Sequence, residues 1–232
     1  MSATKRPFPL LYPTSTTDAD PIIDNDWSAF RQLSTLHDHW TMKSWAPGQS
    51  GFYWYITFRD PALVELARHC QEELAHDGLD PVPVDGLHLT LLSVGKVDDV
   101  SPWQVSDIST AARASLAAMK PFDLTIGPLT GSRSALRFSV TPWTPLLDIH
   151  HRLREATALH RPSSRLAETI EFRPHLGIGY INRTQPAGPL VSDVAELRDL
   201  PPVTVRVEQV RLVELRRDGH AYRWDDRAVI DL

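Results

Sequence analysis

Cysteine is nearly absent from this 232-residue chain: its one copy, Cys70, rules out an intrachain disulfide and falls on the apolar side of a helical pattern. That usage fits a reducing compartment. No run approaches the roughly 20 apolar residues that a bilayer-spanning helix needs, and no apolar signal core follows the early charges at Lys5 and Arg6. The expectation is a cytoplasmic protein with no membrane partner. Positive charge is also short: lysine occurs only at Lys5, Lys43, Lys96 and Lys120, the net charge is −5 and the pI is near 6.0. An extended nucleic-acid clamp would need a basic stripe, so it is excluded, although a few local arginines suffice for one or two phosphates. Missing too are a glycine-rich phosphate loop, a dinucleotide fingerprint, a Gly-x-Ser-x-Gly elbow, a cysteine pair and a His-Glu-x-x-His motif. His37-Asp38-His39 and His150-His151 lack the spacing of a recognised metal cluster, so neither a metal nor another cofactor is expected.

What is present belongs to an ordinary globular chain, 42% hydrophobic and 23% charged, long enough to bury a sizeable core. Residues 1–46 stand apart: proline and threonine, an acidic stretch from Asp18 to Asp26, then a short helical pattern over Trp27 to His37. They read as an extension packed on a domain covering 47–232. Within that domain Phe52, Trp54, Ile56 and Phe58 share one strand face, and Tyr53, Tyr55 and Thr57 the other. Asp60-Pro61 starts a helix with Leu63, Leu66, Ala67, Cys70 and Leu74 at helical spacing. Further along, the pattern predicts a helix over Gln104–Met119, strands over Phe122–Leu129 and Ala135–Thr141, and a helix from Pro145 to about Leu159. After these come a short helix over Leu190–Leu200, one long strand from Val203 to Leu215, a turn at Asp218-Gly219 and a strand over Tyr222–Ile230. Strands and helices mix without the regular rhythm of a doubly wound sheet. The class is therefore α+β.

Two histidines lie at equivalent places in this order. Each follows a strand and a proline-started helix at nearly the same interval: Pro61 leads to His88 in Leu87-His88-Leu89-Thr90-Leu91, and Pro145 to His175 in Phe172-Arg173-Pro174-His175. A duplicated strand–helix–strand unit would set the two imidazoles face to face across one cleft. Alternation puts Thr90 on the face of His88, with Leu87, Leu89 and Leu91 in the core. An imidazole can take or give a proton at a phosphate ester, and a hydroxyl two residues on can donate to a non-bridging oxygen. One His-x-Thr by itself is commonly solvated strand surface; the second histidine supplies the acid and base that phosphodiester chemistry needs on opposite sides of phosphorus.

On these motifs, together with Gly95, the chain resembles the two-histidine (2H) phosphoesterase superfamily, in particular its RNA 2′,5′-ligase-like and cyclic phosphodiesterase-like members. The resemblance implies a bilobal α+β fold, two antiparallel sheets around a central cleft. It also implies metal-independent chemistry on a nucleotide or RNA-end phosphodiester, a 2′,3′-cyclic phosphate or a 2′,5′ linkage, and catalytic roles for His88, Thr90 and His175. The chain departs from the family at Gly177, where a hydroxyl should stand. By strict alternation Gly179 shares the face of His175 and Gly177, and Tyr180 lies opposite. The glycines then either mark a bulge or leave room for a bulkier substrate. Arg173 is a candidate phosphate ligand. Tyr53 and Tyr55 are candidates for stacking on a base, and Tyr222 and Trp224 for touching it. A non-catalytic nucleotide-binding module and a metal-dependent hydrolase are the alternative functions. The oligomeric state is open.

Overall fold

The computed structural model describes residues 7–43, 45–162 and 165–232; positions 1–6 of the expected extension, 44 and 163–164 lie outside the described residues. Helix α1 (Ala19–Phe30) buries Ile22, Asp26 and Phe30, one residue per turn on a single face. It lies N-terminal to the helix expected over Trp27–His37, because Pro21 is tolerated in a first turn and the chain turns extended at β1 (Thr35–Leu36). Asp38 caps α2 (His39–Met42), its carboxylate accepting from the Trp40 amide.

β2 (Ser50–Thr57) sends Phe52, Trp54 and Ile56 into the main core, while Tyr53 and Tyr55 pack on its other face beside Trp45, Val213 and Trp224. Asp60 accepts the Ala62 and Leu63 amides and Pro61 takes the first position of α3 (Pro61–Glu73), as the sequence predicts. β3 (Leu79–Pro81) and β4 (His88–Lys96) follow. α4 (Pro102–Leu116) begins earlier than expected because Ser101 and Gln104 form a reciprocal capping box. The chain continues through β5 (Phe122–Gly131), β6 (Ala135–Thr141), α5 (Thr144–His160), β7 (Leu176–Ile181), β8 (Gln185–Pro186) and α6 (Gly188–Glu196).

The single strand expected over Val203–Leu215 is two, β9 (Val203–Val207) and β10 (Gln209–Asp218), each in a different sheet. The alternation slips by one residue at Glu208-Gln209, where two polar residues adjoin, but such a slip reads equally as a bulge within one strand, so the pattern alone does not reveal the crossing. A turn at Gly219, with φ of 57°, leads into β11 (Ala221–Asp231).

The strands form a four-stranded sheet in the order β11-β10-β2-β4 and a five-stranded sheet β3-β7-β6-β5-β9, with β1 and β8 as a separate pair; every pairing is antiparallel. The architecture is α+β, with two lobes and a cleft between them. The helices cross over: α3, which follows β2, packs on β7 and β9, whereas α5, which follows β6, packs on β4. One apolar core therefore runs through both lobes. α1 lies on β5 and β6, and among the described residues no helix is long and apolar enough to cross a membrane.

Candidate active site

β4 pairs with β2 so that His88 lies opposite Thr57 and Thr90 opposite Tyr55. These four side chains share one face, while Ile56 and Leu89 are buried on the other. Leu91 is an extra residue, because the next pair is Leu92 with Trp54. This bulge inverts the alternation and returns Ser93 to the cleft face opposite Tyr53.

β7 repeats the device. Gly177 lies opposite Arg137 and Gly179 opposite Leu136, leaving Ile178 as the extra residue. His175 and Gly177 thus face the cleft, and beyond the bulge that face belongs to Tyr180, whose ring lies 4.2 Å from that of His39 in the cleft wall. The expected faces of Gly179 and Tyr180 are overturned. A Cβ on Gly179 would stand 2.9 Å from Leu79 Cδ1, on the core side; one on Gly177 would meet only the Leu136 carbonyl oxygen at 4.0 Å. Gly177 has no positive φ, so its backbone does not require glycine.

The two imidazoles are held alike. His88 Nδ1 donates to the Gly86 carbonyl at 2.8 Å and His175 Nδ1 to the Arg173 carbonyl at 2.7 Å, in each case two residues upstream. A carbonyl only accepts, so both rings carry their proton on Nδ1 and present Nε2 as a base. Burial pushes His88 down to about 4 and His175 to about 3, with the charges of Arg137, Lys43 and His88 adding to the effect at His175; the carbonyl bonds oppose it. At neutral pH both are uncharged in the free protein. His88 stacks on Tyr55, centroids 4.2 Å apart, with Trp224 edge-on at 5.3 Å.

His88, Thr90, His175, Gly177, Tyr53, Tyr55 and Arg173 all line one cavity of about 520 Å³. Their settings differ. Tyr55 is buried with its phenol beside Thr90, so it supports the His88 side, whereas Tyr53 stacks on Trp45 at 6.3 Å at the more open part of the wall. Arg173 is 7% exposed and its guanidinium donates to the carbonyls of Pro9, Leu10, Ile170 and Phe172, over the ring of Tyr12. Those bonds clamp the N-terminal segment to the cleft rim. Pro7 and Phe8 themselves reach the cavity wall.

Sequence reasoning missed Arg137, weighed His39 only as a metal ligand and put Tyr180 on the wrong face; all three line the cavity. Arg137 lines the cavity at 2% exposure and pairs through Nη2 with Asp26 of α1 at 3.1 Å. The available signal was the one charged residue in the strand pattern Ala135–Val140. The cleft is thus aromatic along the four-stranded sheet, with Trp45, Tyr53, Tyr55 and Tyr222, and cationic near His175, with Lys43, Arg137 and Arg173. His150 also lines the cavity, with Nδ1 bonded to Thr169 and its ring stacked on Phe172. Among the described residues no group of three or more His, Cys, Asp or Glu side chains is placed to hold a metal ion.

Residues 59–219 match the family described as the 2′-5′ RNA ligase superfamily. No curated protein matches the chain. Among solved structures it is similar to E. coli LigT complexed with NADP+, at 20% identity and a TM-score of 0.57 over 79% of this chain and 98% of LigT. LigT complexed with 3′-AMP gives 20% identity and a TM-score of 0.58 over the same shares. TT0787 of Thermus thermophilus shares 17% identity over 78% of this chain and 97% of its own, with a TM-score of 0.59.

Proposed function

This chain belongs to the 2′-5′ RNA ligase superfamily, and on that premise we propose that it is a metal-independent phosphoesterase that hydrolyses or forms a nucleotide or RNA-terminal phosphodiester, a 2′,3′-cyclic phosphate or a 2′,5′ linkage. The observation that carries the reading is the matched anchoring of His88 and His175 on one cavity, each Nδ1 tied to the carbonyl two residues upstream. In hydrolysis one imidazole takes the proton of the attacking water through Nε2 while the other, protonated, gives its proton to the departing ribose oxygen; in the forming direction the two exchange roles. Both rings are neutral in the free protein at pH 7, so the acid acquires its proton when the phosphate anion arrives and favours the imidazolium. Thr90 donates to a non-bridging oxygen as negative charge builds there. Trp45 and Tyr53 offer a stacking face for the base. Crystals of the similar LigT with 3′-AMP, ATP and NADP+ support a nucleotide as ligand here. Residues 1–46 form an extension of the phosphoesterase domain at 47–232, its described part reaching the cleft through Pro7 and Phe8.

A phosphorus-NMR screen of 2′,3′-cyclic nucleotides and short 2′,5′ and 3′,5′ oligonucleotides tests the reading. The wild type should convert at least one class with chelator present, and His88→Ala should not. Gly177, which lacks the family hydroxyl, favours a second reading, a nucleotide-binding module without turnover. Binding with no conversion of any diester would establish that reading instead. Activity lost on chelation and restored by a divalent ion would point to a metal-dependent hydrolase.

A further inference from the structure

We propose that Arg137, held by Asp26 of α1, is the phosphate donor of the second half of the site, standing in for the hydroxyl that the chain lacks at position 177. The inference rests on the phosphoesterase reading for its catalytic part and on geometry for its binding part. Arg137 and Gly177 are direct partners in the β6–β7 ladder, and a Cβ at 177 would meet only the Leu136 carbonyl oxygen, at 4.0 Å. A guanidinium from the adjacent strand thus borders the gap.

Arg137 is an expensive residue to bury, and the fold holds it in one place. Asp26 takes Nη2 on one carboxylate oxygen and the Ser139 hydroxyl, at 2.8 Å, on the other, while Nη1 donates to the Phe8 carbonyl at 3.2 Å. Those bonds engage two of the five N–H groups of a guanidinium, and Nε is buried with no partner at all. Most buried donors have a partner, so an unpartnered Nε on a residue that lines the cavity leaves a place for one. Arg137 keeps spare donors on the wall of a cavity that also holds His175, where a phosphate oxygen completes the set with charge-assisted bonds. Asp26 acts through Arg137 and is a positioning residue. It lies outside the stretch that matches the superfamily, residues 59–219, so the replacement donor is held by the chain's own N-terminal extension.

The test uses the full chain and two readouts, binding of inorganic phosphate followed by phosphorus NMR and turnover of whichever diester the wild type converts. Asp26→Asn combined with Arg137→Gln removes both charges and leaves none unpaired. Phosphate affinity should fall by about tenfold or more, and kcat by about 10²-fold. Adding Gly177→Ser to that variant should restore roughly tenfold of kcat, which a purely structural role for Arg137 would not produce. Arg137→Lys keeps the charge but loses the planar fork. It should melt close to wild type yet bind phosphate about tenfold more weakly, and so serves if the double variant fails to fold. Unchanged phosphate affinity in either folded variant overturns the proposal. If the wild type turns over no diester, the phosphoesterase reading falls separately, and the phosphate titration still decides Arg137.

Discussion

The two histidine strands solve the same problem with the same backbone and different neighbours. In β4 and in β7 alike, the imidazole is tied to the carbonyl two residues upstream, a bulge falls three residues after the histidine, and the residue five positions after it returns to the cleft: Ser93 in one half, Tyr180 in the other. Thr90 stands across from Tyr55, whereas Gly177 stands across from Arg137. The position of each imidazole is therefore a property of the strand, and the electrostatics around it a property of the strand beside it. One half carries a neutral hydroxyl on the histidine strand. The other carries a guanidinium on the next strand over.

The sharpest way to break the comparison is to remove the shared part. His88→Ala and His175→Ala should each lower turnover by about 10²- to 10⁴-fold, and the double variant should be little worse than the worse single, because acid and base act on one phosphate. Full activity in either single variant would end the two-histidine account. Next comes the unshared part. Thr90→Val keeps shape and removes a charge-assisted hydrogen bond, so kcat should fall by about 10- to 10²-fold with little change in melting temperature. An unaltered kcat would mean that the first half contributes no donor.

Acidity sharpens the comparison through both rings. Because the free-protein values are about 4 and about 3, the fraction carrying the catalytic proton grows as pH falls from 7 to 5. kcat/KM should accordingly rise by about tenfold per unit in that range, while kcat should trace a bell centred higher because bound phosphate favours the imidazolium. Stability moves the other way. His88, His150 and His175 all have folded values below the ordinary 6.5, so the unfolded chain binds more protons between that value and the folded ones. Their contribution is complete above about 6.5 and is lost as pH falls toward 4. Melting temperatures across pH 4–8 should decline on the acid side, and a flat profile there would contradict the burial of these rings.

Much of this was legible from the chain, for reasons that also explain the gaps. Asp60-Pro61 marked the start of α3 because its signals are local, and the alternation through Phe52–Phe58 sorted core from cleft correctly because β2 is long and one-sided. His88, Thr90 and His175 lie on one cavity. What failed was counting past irregularities. The bulge at Ile178 moved Tyr180 into the cleft and Gly179 out of it, and the crossing at Glu208 divided one pattern between two sheets. Arg173 and Arg137 are alike as sequence. Only the fold shows that one is bonded to the carbonyls of Pro9 and Leu10 and the other faces Gly177 with donors to spare.

The smallest effects come from the two glycines of β7, and they separate the faces cleanly. Gly179→Ala should cost about 1–2 kcal/mol, because its methyl would press on the buried Leu79. Gly177→Ala should change stability by no more than about 0.5 kcal/mol, since its φ is ordinary and its surroundings open. Denaturant melts of the pair check this. Equal losses would mean that the bulge does not set the faces as described. Gly177→Thr should likewise fold normally, retain or improve turnover of small cyclic nucleotides and obstruct larger ones; activity on a size series measures it.

Nitrogen-15 NMR of the histidine side chains, with 3′-AMP titrated into the protein at pH 7, tests most directly whether both imidazoles face one phosphate. The account predicts that His88 and His175 are both neutral and protonated on Nδ1 in the free protein. Both Nε2 signals should move together as the nucleotide binds, one of them toward the imidazolium position. A shift confined to a single histidine, or a free protein in which either ring carries its proton on Nε2, would contradict it.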